Sequence, residues 1–477
     1  MEYKKAIRDP IHGFIKLTAE EIQLIDGEPL IQRLRYVKQL GFVFLVYPTA
    51  THTRFDHSLG VMHVAGLIGE RVLREMKMLD EGVIKHLRAA ALLHDIGHLP
   101  FSHSFEVLTR ELLHMAVKYK CVDVDLAQFD VGKPHEVTTK LLVERLTPRL
   151  AELGYDPELI KDILFRRNEK YKVLSNIVSG VFDADRLDYI MRDMYFTGAA
   201  VGTSFTHIDL ERIIENLEVA GDKILFDEKA RVNLEGYLIT RYNLYRHVYL
   251  HHKTVLFTEI GRAILADNIE RCVEARGDGV ICEYLCELAR FVAGKAGDVD
   301  AWKATDDYFI SVFMRDPRFR DLLARRPLEY IPLWKREKEF LEIFRDPAKI
   351  NASIDRLGPL HWALVNKLRS WLVERLNVEL GGACKLSHDD VIISYVSFEP
   401  YTEDLYITTA ARPIPISEIS PLVQAINEAW RRAPHVFLFI RRKTLDKCGE
   451  ATLRGLKDAL EPLLDLAIRR VSTQSHA

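Results

Sequence analysis

Apolar residues spaced three and four positions apart dominate the chain from about residue 19 to residue 330. The spacing is clear in EEIQLIDGEPLIQRLRYVKQL, VMHVAGLIGERVLREM, HLRAAALLHDIGH and LEGYLITRYNLYRHVYLHH. It gathers the apolar side chains on one face of a helix, and that face has to be buried against a neighbouring element. The pattern therefore predicts a mainly α-helical core built from many packed helices.

One stretch inside this region, FVFLVYPTATHTRF, interrupts the helical period. Its β-branched and aromatic residues, followed by Pro48, favour a short hairpin or an extended turn. We expect this turn to deliver Arg54 and His57 to the next helix.

A different pattern begins after about residue 335. Short runs rich in β-branched and aromatic residues, namely VIISYVSF, DLYITTA and HVFLFI, alternate there with helical stretches such as PLVQAINEAWRR. We expect two domains, a helical core over residues 1–335 and a smaller α+β lobe over residues 336–477.

The charge balance argues against a broad attraction to polyanions. The 66 Lys and Arg residues against 69 Asp and Glu residues leave a formal charge of -3, so nucleic acid and anionic membranes are not expected partners. The N-terminal stretch MEYKKAIRDPIHGFIKL lacks the apolar centre of a secretory signal, and no later stretch approaches the roughly 20 apolar residues of a membrane helix. A cytoplasmic location is the resulting expectation.

The six cysteines are scattered without a CxxC pair. This distribution favours reduced thiols over a disulfide framework or a zinc site. Cys282 and Cys286 stand one helical turn apart, and we expect both to be buried apolar thiols.

Polar residues are concentrated in LLHDIGHLPFSHSFE, residues 92–106, directly after an apolar helical stretch. We expect the adjacent His94 and Asp95 at the end of that helix and His98 one turn further on the same helical face, with His103 within the same ten residues. Burying such groups without partners would cost several kcal/mol. They therefore coordinate a metal, hydrogen-bond to one another, or face a water-filled cleft.

Two further motifs complete an ordered series: RFDHSLGV contains His57, and FDADRLDYIMRD contains Asp185. The order His, His-Asp, Asp resembles the HD-domain phosphohydrolase superfamily. It is most similar to the branch of the SAM-and-HD-domain deoxynucleoside triphosphate triphosphohydrolases and their prokaryotic relatives. The resemblance extends from RDPIHGFIKL to RYNLYRHVYLHH, roughly residues 8 to 252.

The resemblance implies a divalent metal ion, which could be manganese, magnesium, iron, nickel or zinc, held by His57, His94, Asp95 and Asp185. Such an ion can lower the pKa of a bound water from about 15.7 toward about 7 and can offset phosphate charge. The resemblance also implies that His103 protonates the leaving ribose oxygen and that Glu106, in place of an aspartate, orients it. The remaining residues implied near the reacting phosphate are His98 and His135.

The same resemblance implies a deoxynucleoside triphosphate as substrate, split into deoxynucleoside and inorganic triphosphate. Phosphate contacts fall on cationic and polar residues, namely Arg54, His98, Arg186, Tyr189 and Arg241. The sugar positions are Gln39 and Asp193 at the 3′-hydroxyl and Leu40 and Tyr249 beside the 2′ carbon. The base preference is open, because Leu250 replaces a glutamine of the family.

The resemblance further implies a homodimer or homotetramer with a nucleotide activator, read by Asp26, Gln32 and Arg35. Two other functions stay open from the sequence. One is a general HD-type phosphatase or phosphodiesterase acting on other nucleotides, and the other is a non-catalytic nucleotide sensor. No GxxxxGK[ST] loop is present, so phosphate binding by that backbone loop is not expected.

Overall fold

A computed structural model describes residues 1–129, 133–198, 208–326, 329–355, 362–380, 385–395, 405–449, 457 and 460–469. Helices predominate among these residues, which confirms the predicted mainly α-helical class. No described helix has the length and apolarity needed to cross a membrane. The expected cytoplasmic location stays a prediction.

The described helices follow in chain order. They are α1 Ala19–Gly27, α2 Pro29–Gln32, α3 Arg54–Glu75, α4 Glu81–Leu93, α5 Thr109–Lys118, α6 Pro134–Glu152, α7 Pro157–Phe165, α8 Lys172–Val178, α9 Ala184–Thr197, α10 Leu210–Glu215, α11 Arg231–Leu244, α12 His252–Glu274, α13 Val280–Val292, α14 Asp298–Ala301, α15 Asp306–Phe313, α16 Pro317–Leu323, α17 Glu337–Ile343, α18 Pro347–Asp355, α19 Trp362–Glu379, α20 Ile416–Ile419, α21 Pro421–Arg432 and α22 Arg442–Cys448.

The described strands are short. They are β1 Lys5–Asp9, β2 Gly13–Leu17, β3 Leu217–Ala220, β4 Lys223–Phe226, β5 Tyr330–Pro332, β6 Val391–Tyr395, β7 Tyr406–Ile407, β8 Ile414–Pro415 and β9 Val436–Arg441. They form an antiparallel β1-β2 hairpin, a sheet of order β3-β4-β7-β8 and a sheet of order β5-β9-β6.

The chain divides into two compact units. The first contains residues 1–244, 268–313 and 403–424, and the second contains residues 245–267, 314–402 and 425–477. The expected boundary after residue 335 lies inside the second unit, and the division into domains 1–335 and 336–477 stays a prediction.

Helix α3 is the central element of the first unit and packs against α4 and α9. Its first turn is fixed by a capping box, in which Thr53 accepts from the backbone of Asp56 and the Asp56 carboxylate accepts from the Thr53 N–H. Gly60 allows α9 to come close, since a Cβ there would lie 1.8 Å from Oδ1 of Asp188. This close approach places the first turns of α3 and α9 beside each other.

The second unit has its own apolar core, in which β6 and β9 pair antiparallel and bury Ile393 and Leu438. Trp334 is fully buried there and donates its indole N–H to the Val436 carbonyl at 2.9 Å. The expected strands in VIISYVSF, DLYITTA and HVFLFI correspond to β6, β7 and β9, and residues 396–398 and 404 of those runs lie outside the described residues.

Three local expectations were wrong. Residues Gly41–Leu45 form a 3₁₀ turn, although Lys38 and Thr53 do pair in an isolated antiparallel bridge. The hairpin β3-β4 interrupts the region from about residue 19 to 330 that was expected to be essentially helical, whereas β1-β2 precedes that region. Helix α4 ends at Leu93, so His94 to Gly97 form a turn that carries His98 beyond the helix.

The expectation of reduced cysteines was also wrong. Cys121 is bonded to Cys286, and Cys272 to Cys282, with Cα–Cα distances of 5.3 and 5.4 Å. The first pair spans 165 residues of sequence, so only the packing of α5 against α13 brings the two thiols together. The spacing of the cysteines along the chain therefore could not predict this disulfide.

Candidate active site

The first turns of α3 and α9 bring His57 and Asp185 together. Nε2 of His57 lies 3.1 Å from Oδ1 of Asp185, and the His57 side chain is fully buried. The turn after α4 adds His94, whose Nε2 lies 3.8 Å from the same Asp185 oxygen. One ligand atom from each of these three residues lies within 4.8 Å of the others. Three segments far apart in sequence thus converge on one point.

Asp95 faces the same imidazoles from the side of α4. Its carboxylate oxygens lie 3.3 Å from Nε2 of His94 and 3.6 Å from Nε2 of His57. Asp95 also accepts a 2.5 Å hydrogen bond from Nη1 of Arg54. Its position therefore connects the three converging residues to an arginine at the start of α3.

The tautomers of the two histidines fit a metal ligand set. Nδ1 of His57 contacts Oδ2 of Asp188 at 2.8 Å, and Nδ1 of His94 contacts the Ala91 carbonyl at 2.7 Å. Each acceptor holds the ring proton on Nδ1, which leaves Nε2 as a lone-pair donor. Both Nε2 atoms are buried, with the His57 atom 3.1 Å from Oδ1 of Asp185 and the His94 atom 3.3 Å from Oδ1 of Asp95. Two imidazole nitrogens and carboxylate oxygens are a donor set that divalent transition metals accept.

The electrostatics of the cluster favour added positive charge. Burial lowers the pKa of His57, but hydrogen bonds to Asp185 and Asp188 outweigh burial and raise the pKa to about 10. Burial likewise raises the pKa of Asp95, but the charges of Arg54 and His94 hold it well below its usual range. A divalent cation can supply the positive charge that a proton supplies here.

A second cluster surrounds Glu106. Oε1 of Glu106 lies 2.8 Å from Nδ1 of His135 and 3.1 Å from Nδ1 of His98, while Oε2 lies 3.1 Å from Nδ1 of His103. Burial raises the pKa of Glu106, but His103 and His135 hold it well below its usual range. Glu106 is therefore a carboxylate that can hold imidazole protons.

The two clusters meet at one contact. Nε2 of His98 lies 3.2 Å from Oδ1 of Asp95. The His98 and His135 rings stack with centroids 4.1 Å apart, and the His103 ring lies edge-on to His98 at 4.7 Å. The His103 side chain is 60% exposed, so this imidazole can reach an incoming molecule.

Close backbone contact holds the turn that carries these residues. A Cβ on Gly97 would lie 2.3 Å from the His135 carbonyl and 2.4 Å from the Thr139 N. Gly97 donates its N–H to Oγ1 of Thr139 at 3.1 Å. The absence of a side chain at Gly97 therefore allows α6 to bring His135 beside His98.

The expected phosphate-binding residues have different settings. Arg54 is buried and donates its Nε proton to Oγ of Ser102 at 2.9 Å. Arg186 donates to the carbonyls of Gly180 and Val181 before α9. Arg241 is buried on α11. Burial lowers the pKa of Arg186, but the Asp183 carboxylate helps to raise it overall, while Arg241 opposes the rise and Tyr189 adds to it.

The expected sugar-contacting residues are partly gathered. Gln39 and Asp193 are both buried, and Oδ1 of Asp193 lies 2.7 Å from Nε2 of His52. The Gln39 N–H donates to the His52 carbonyl at 3.0 Å. Leu40 directly precedes the turn that starts at Gly41, whereas Tyr249 belongs to the second unit, in a π-helical turn.

The residues expected to read an activator lie on the first two helices and the turn after them. Arg35 donates its Nε proton to Oε1 of Gln32 at 2.9 Å, and its guanidinium lies 3.5 Å above the Phe55 ring. The half-exposed Asp26 carboxylate lies 3.7 Å from Nζ of Lys5. Gln32 and Arg35 are thus in direct contact.

Comparison with known proteins accounts for this arrangement. The chain matches the HD domain over residues 54–190 and the HD associated region over residues 208–285. The chain therefore contains an HD domain followed by its associated region. HD domains bind divalent metals, and the cluster of His57, His94 and Asp185 could hold one.

Several curated proteins are similar to this HD-domain chain. An uncharacterized protein of Methanocaldococcus jannaschii is 36% identical over 57% of this chain and 52% of its own length. The deoxynucleoside triphosphate triphosphohydrolase of Homo sapiens is 30% identical over 69% of this chain and 54% of its own length. The chain thus spans about half the length of these curated relatives.

Two solved structures share the fold. A hypothetical protein from Aquifex aeolicus superposes with a TM-score of 0.66 at 25% identity and covers 94% of this chain and 99% of its own. A phosphohydrolase from Bacteroides thetaiotaomicron superposes with a TM-score of 0.64 at 22% identity, covering 92% and 100% of the two chains.

A buried network behind the HD-domain site was not assigned any role from the sequence. The Asp188 carboxylate is fully buried and contacts Nε2 of His12 at 2.6 Å besides Nδ1 of His57. Arg192 donates to both Asp188 oxygens, and its Nη1 donates to Asp9 at 2.8 Å. The motif FDADRLDYIMRD contained Asp188, but only the tertiary contact shows that it holds the imidazole of a candidate ligand.

Asp188→Asn is expected to weaken metal binding by about 10- to 100-fold, because the amide no longer fixes the Nδ1 proton and the ring orientation of His57. Titration of the metal-free protein with Mn²⁺, followed by calorimetry, measures the change. Asp193→Asn serves as the matched control, since Asp193 is a buried, histidine-paired aspartate on the same helix. Equal affinities in wild type and Asp188→Asn would remove Asp188 from this role.

Proposed function

We propose that this chain is a metal-dependent deoxynucleoside triphosphate triphosphohydrolase. The observation that carries the proposal is the contact of two clusters through Asp95 and His98, one suited to a metal ion and one to proton transfer. Hydrolysis of a phosphate ester needs both functions at one phosphorus atom. The relative from Homo sapiens named for this activity adds support, although the match spans 54% of its length.

In the proposed reaction, water adds its oxygen to the α-phosphorus while the bond from that phosphorus to the 5′ oxygen breaks. The products are a deoxynucleoside and inorganic triphosphate. A divalent cation held by His57, His94, Asp95 and Asp185 would supply Lewis acidity for this step. His103 gives a proton to the departing 5′ oxygen, and Glu106 stabilises the imidazolium before the transfer.

The substrate end of the proposal rests on the surrounding residues. His98 and His135 line the reacting phosphate, and Arg54 presents a buried guanidinium beside Asp95. Arg186, Tyr189 and Arg241 bind the outer phosphates once Arg186 exchanges its carbonyl partners for phosphate oxygens.

Selection of deoxyribose is assigned to four residues. Gln39 and Asp193 bind the 3′-hydroxyl, and Leu40 and Tyr249 exclude a 2′-hydroxyl. A further proposed element is a dimer or tetramer whose activating nucleotide is read by Asp26, Gln32 and Arg35.

A product analysis tests the proposed function. Protein loaded with Mn²⁺ or Mg²⁺ is incubated with each dNTP and NTP, alone and with dGTP, and phosphorus NMR identifies the products. Inorganic triphosphate from dNTPs is expected. Orthophosphate or pyrophosphate would indicate the general HD-type phosphatase, and nucleotide binding without any product would indicate the sensor. Sedimentation of the same mixtures reports whether dGTP drives assembly.

A further inference from the structure

A buried carboxylate outside the HD motif joins two segments of the candidate site. Asp306, the first residue of α15, is fully buried. Its Oδ2 accepts from the Lys38 N–H at 3.0 Å, and its Oδ1 accepts from the Phe101 N–H at 2.7 Å. Nζ of Lys38 lies 3.6 Å from Oδ2. One side chain therefore binds two backbone segments that are 63 residues apart.

The two segments carry different parts of the proposed site. Lys38 directly precedes Gln39 and Leu40, which the proposed function places at the sugar. Phe101 lies two residues before His103, the proposed acid. The distance between sugar contact and acid therefore depends on how these two segments are held together.

The segment that precedes His103 has an unusual backbone conformation. Phe101 and Ser102 both have left-handed conformations, with φ of 57° and 54°. Non-glycine residues adopt this region uncommonly, so two in succession gain from contacts that stabilise the conformation. The bond from the Phe101 N–H to Asp306 is such a contact.

Other contacts run in the same direction. Ser102 donates its hydroxyl proton to the Lys38 carbonyl at 2.6 Å, so the two segments also touch directly. The buried Arg33 guanidinium donates to the carbonyls of Ala304, Ile96 and His98. Arg33 therefore joins Ala304, just before α15, to the turn that follows α4. Asp306 joins the start of α15 to the segments of Lys38 and Phe101.

We infer that Asp306 is a positioning residue that sets the separation between His103 and the sugar-contacting segment 38–40, and thereby both the rate and the choice of sugar. The inference rests on the proposed function. Asp306 lies outside both matched family regions, residues 54–190 and 208–285. Within the described residues, the hydrogen bonds and the ion pair of Asp306 go to Lys38 and Phe101, not to the candidate metal ligands or to His103.

The geometry calls for a carboxylate at this position. Both oxygens accept from backbone N–H groups. An amide offers one oxygen and one NH₂ group, so an asparagine would set a donor against one of the two N–H groups. Asp306→Asn therefore removes one of the two hydrogen bonds from backbone N–H groups with almost no change in side-chain volume.

The test compares Asp306→Asn with Asp307→Asn, which removes the same charge from the exposed neighbouring residue. The measurements are kcat and KM for a dNTP, the ratio of kcat/KM for a dNTP and its ribonucleotide, and metal content. Asp306→Asn is expected to lower kcat by about 10- to 100-fold, because a small displacement of reacting groups costs that much. The deoxyribose preference should fall, while metal content and the Asp307→Asn kinetics should match wild type.

A second variant guards against simple loss of folding. Ser102→Ala breaks the direct contact between the same segments and is expected to lower the deoxyribose preference in the same direction. Unchanged kcat and sugar preference in folded Asp306→Asn, with only a lower melting temperature, would overturn the inference. Wild-type protein that releases no triphosphate from any dNTP would instead overturn the proposed function, and the inference with it.

Discussion

His94→Ala is expected to lose more than about nine tenths of the bound metal and to lower turnover by at least about a thousandfold, because the catalysed reaction depends on the metal for both nucleophile and charge stabilisation. Nε2 of His94 is buried and lies 3.3 Å from Oδ1 of Asp95 and 3.8 Å from Oδ1 of Asp185. Removing it leaves one nitrogen donor beside the carboxylates. Elemental analysis of purified protein, together with turnover at saturating Mn²⁺, measures both effects.

Helix α4, which ends at the residue before His94, offers a matched control. His86 lies eight residues before His94, and its Nδ1 contacts the Gly82 carbonyl at 2.6 Å, so His86→Ala deletes a ring with a similar backbone contact. We expect metal content and turnover to stay at wild-type values in His86→Ala. A His94→Ala protein with normal metal content would show that His94 is not a ligand.

His103→Ala is expected to keep its metal and to lose about 10²- to 10⁴-fold in turnover of a dNTP, the contribution that a positioned general acid makes. The 5′ oxygen of deoxyribose is a poor leaving group and needs the proton. His103 belongs to a second group of possible ligands, with His98, Glu106 and His135, and lies outside the cluster of His57, His94 and Asp185. Metal held by that cluster should therefore not follow the loss of activity.

A substrate with a better leaving group distinguishes a role of His103 in proton donation from a structural role. With bis(4-nitrophenyl) phosphate the departing nitrophenolate needs no proton, and the loss in His103→Ala should shrink to a few-fold. His114→Ala, an exposed histidine on the following helix, should resemble wild type with both substrates. Equal losses with the two substrates would assign His103 to binding or structure instead of proton donation.

Much of the first unit could be predicted from the residue pattern. The apolar period that predicted packed helices corresponds to α1, α3, α4 and α11, and Asp185 lies in the first turn of α9 with Asp183 as the N-cap. The converging set of His57, His94 and Asp185 was implied by the resemblance that the ordered motifs carry. These features depend on local spacing, which a single chain displays directly.

Other features could not be predicted, because they depend on contacts between distant segments. In the sequence, Asp188 is one more polar residue on a helix. Only the structure shows that its two carboxylate oxygens contact His12 and His57. The hairpin formed by β1 and β2, which share the ends of RDPIHGF, was not predicted. Arg186, whose contact with a phosphate stays a prediction, donates to two carbonyls that precede its own helix.

The sequence, with its resemblance to the HD-domain phosphohydrolases, thus predicted the chemical groups by itself: two imidazoles and two carboxylates for a metal, His103 after the His-Asp turn, and helices to carry them. Side-chain chemistry and helical period are properties of short segments, so they can be recognised in the sequence before the fold is known. Tertiary structure alone decided which nitrogen of His57 is free, which carboxylate holds it, and that Asp306 binds both sides of the site. Those outcomes require atoms from remote segments to come within about 3 Å of each other, and only the packing of α3 against α4 and α9 and the burial of α15 bring them there.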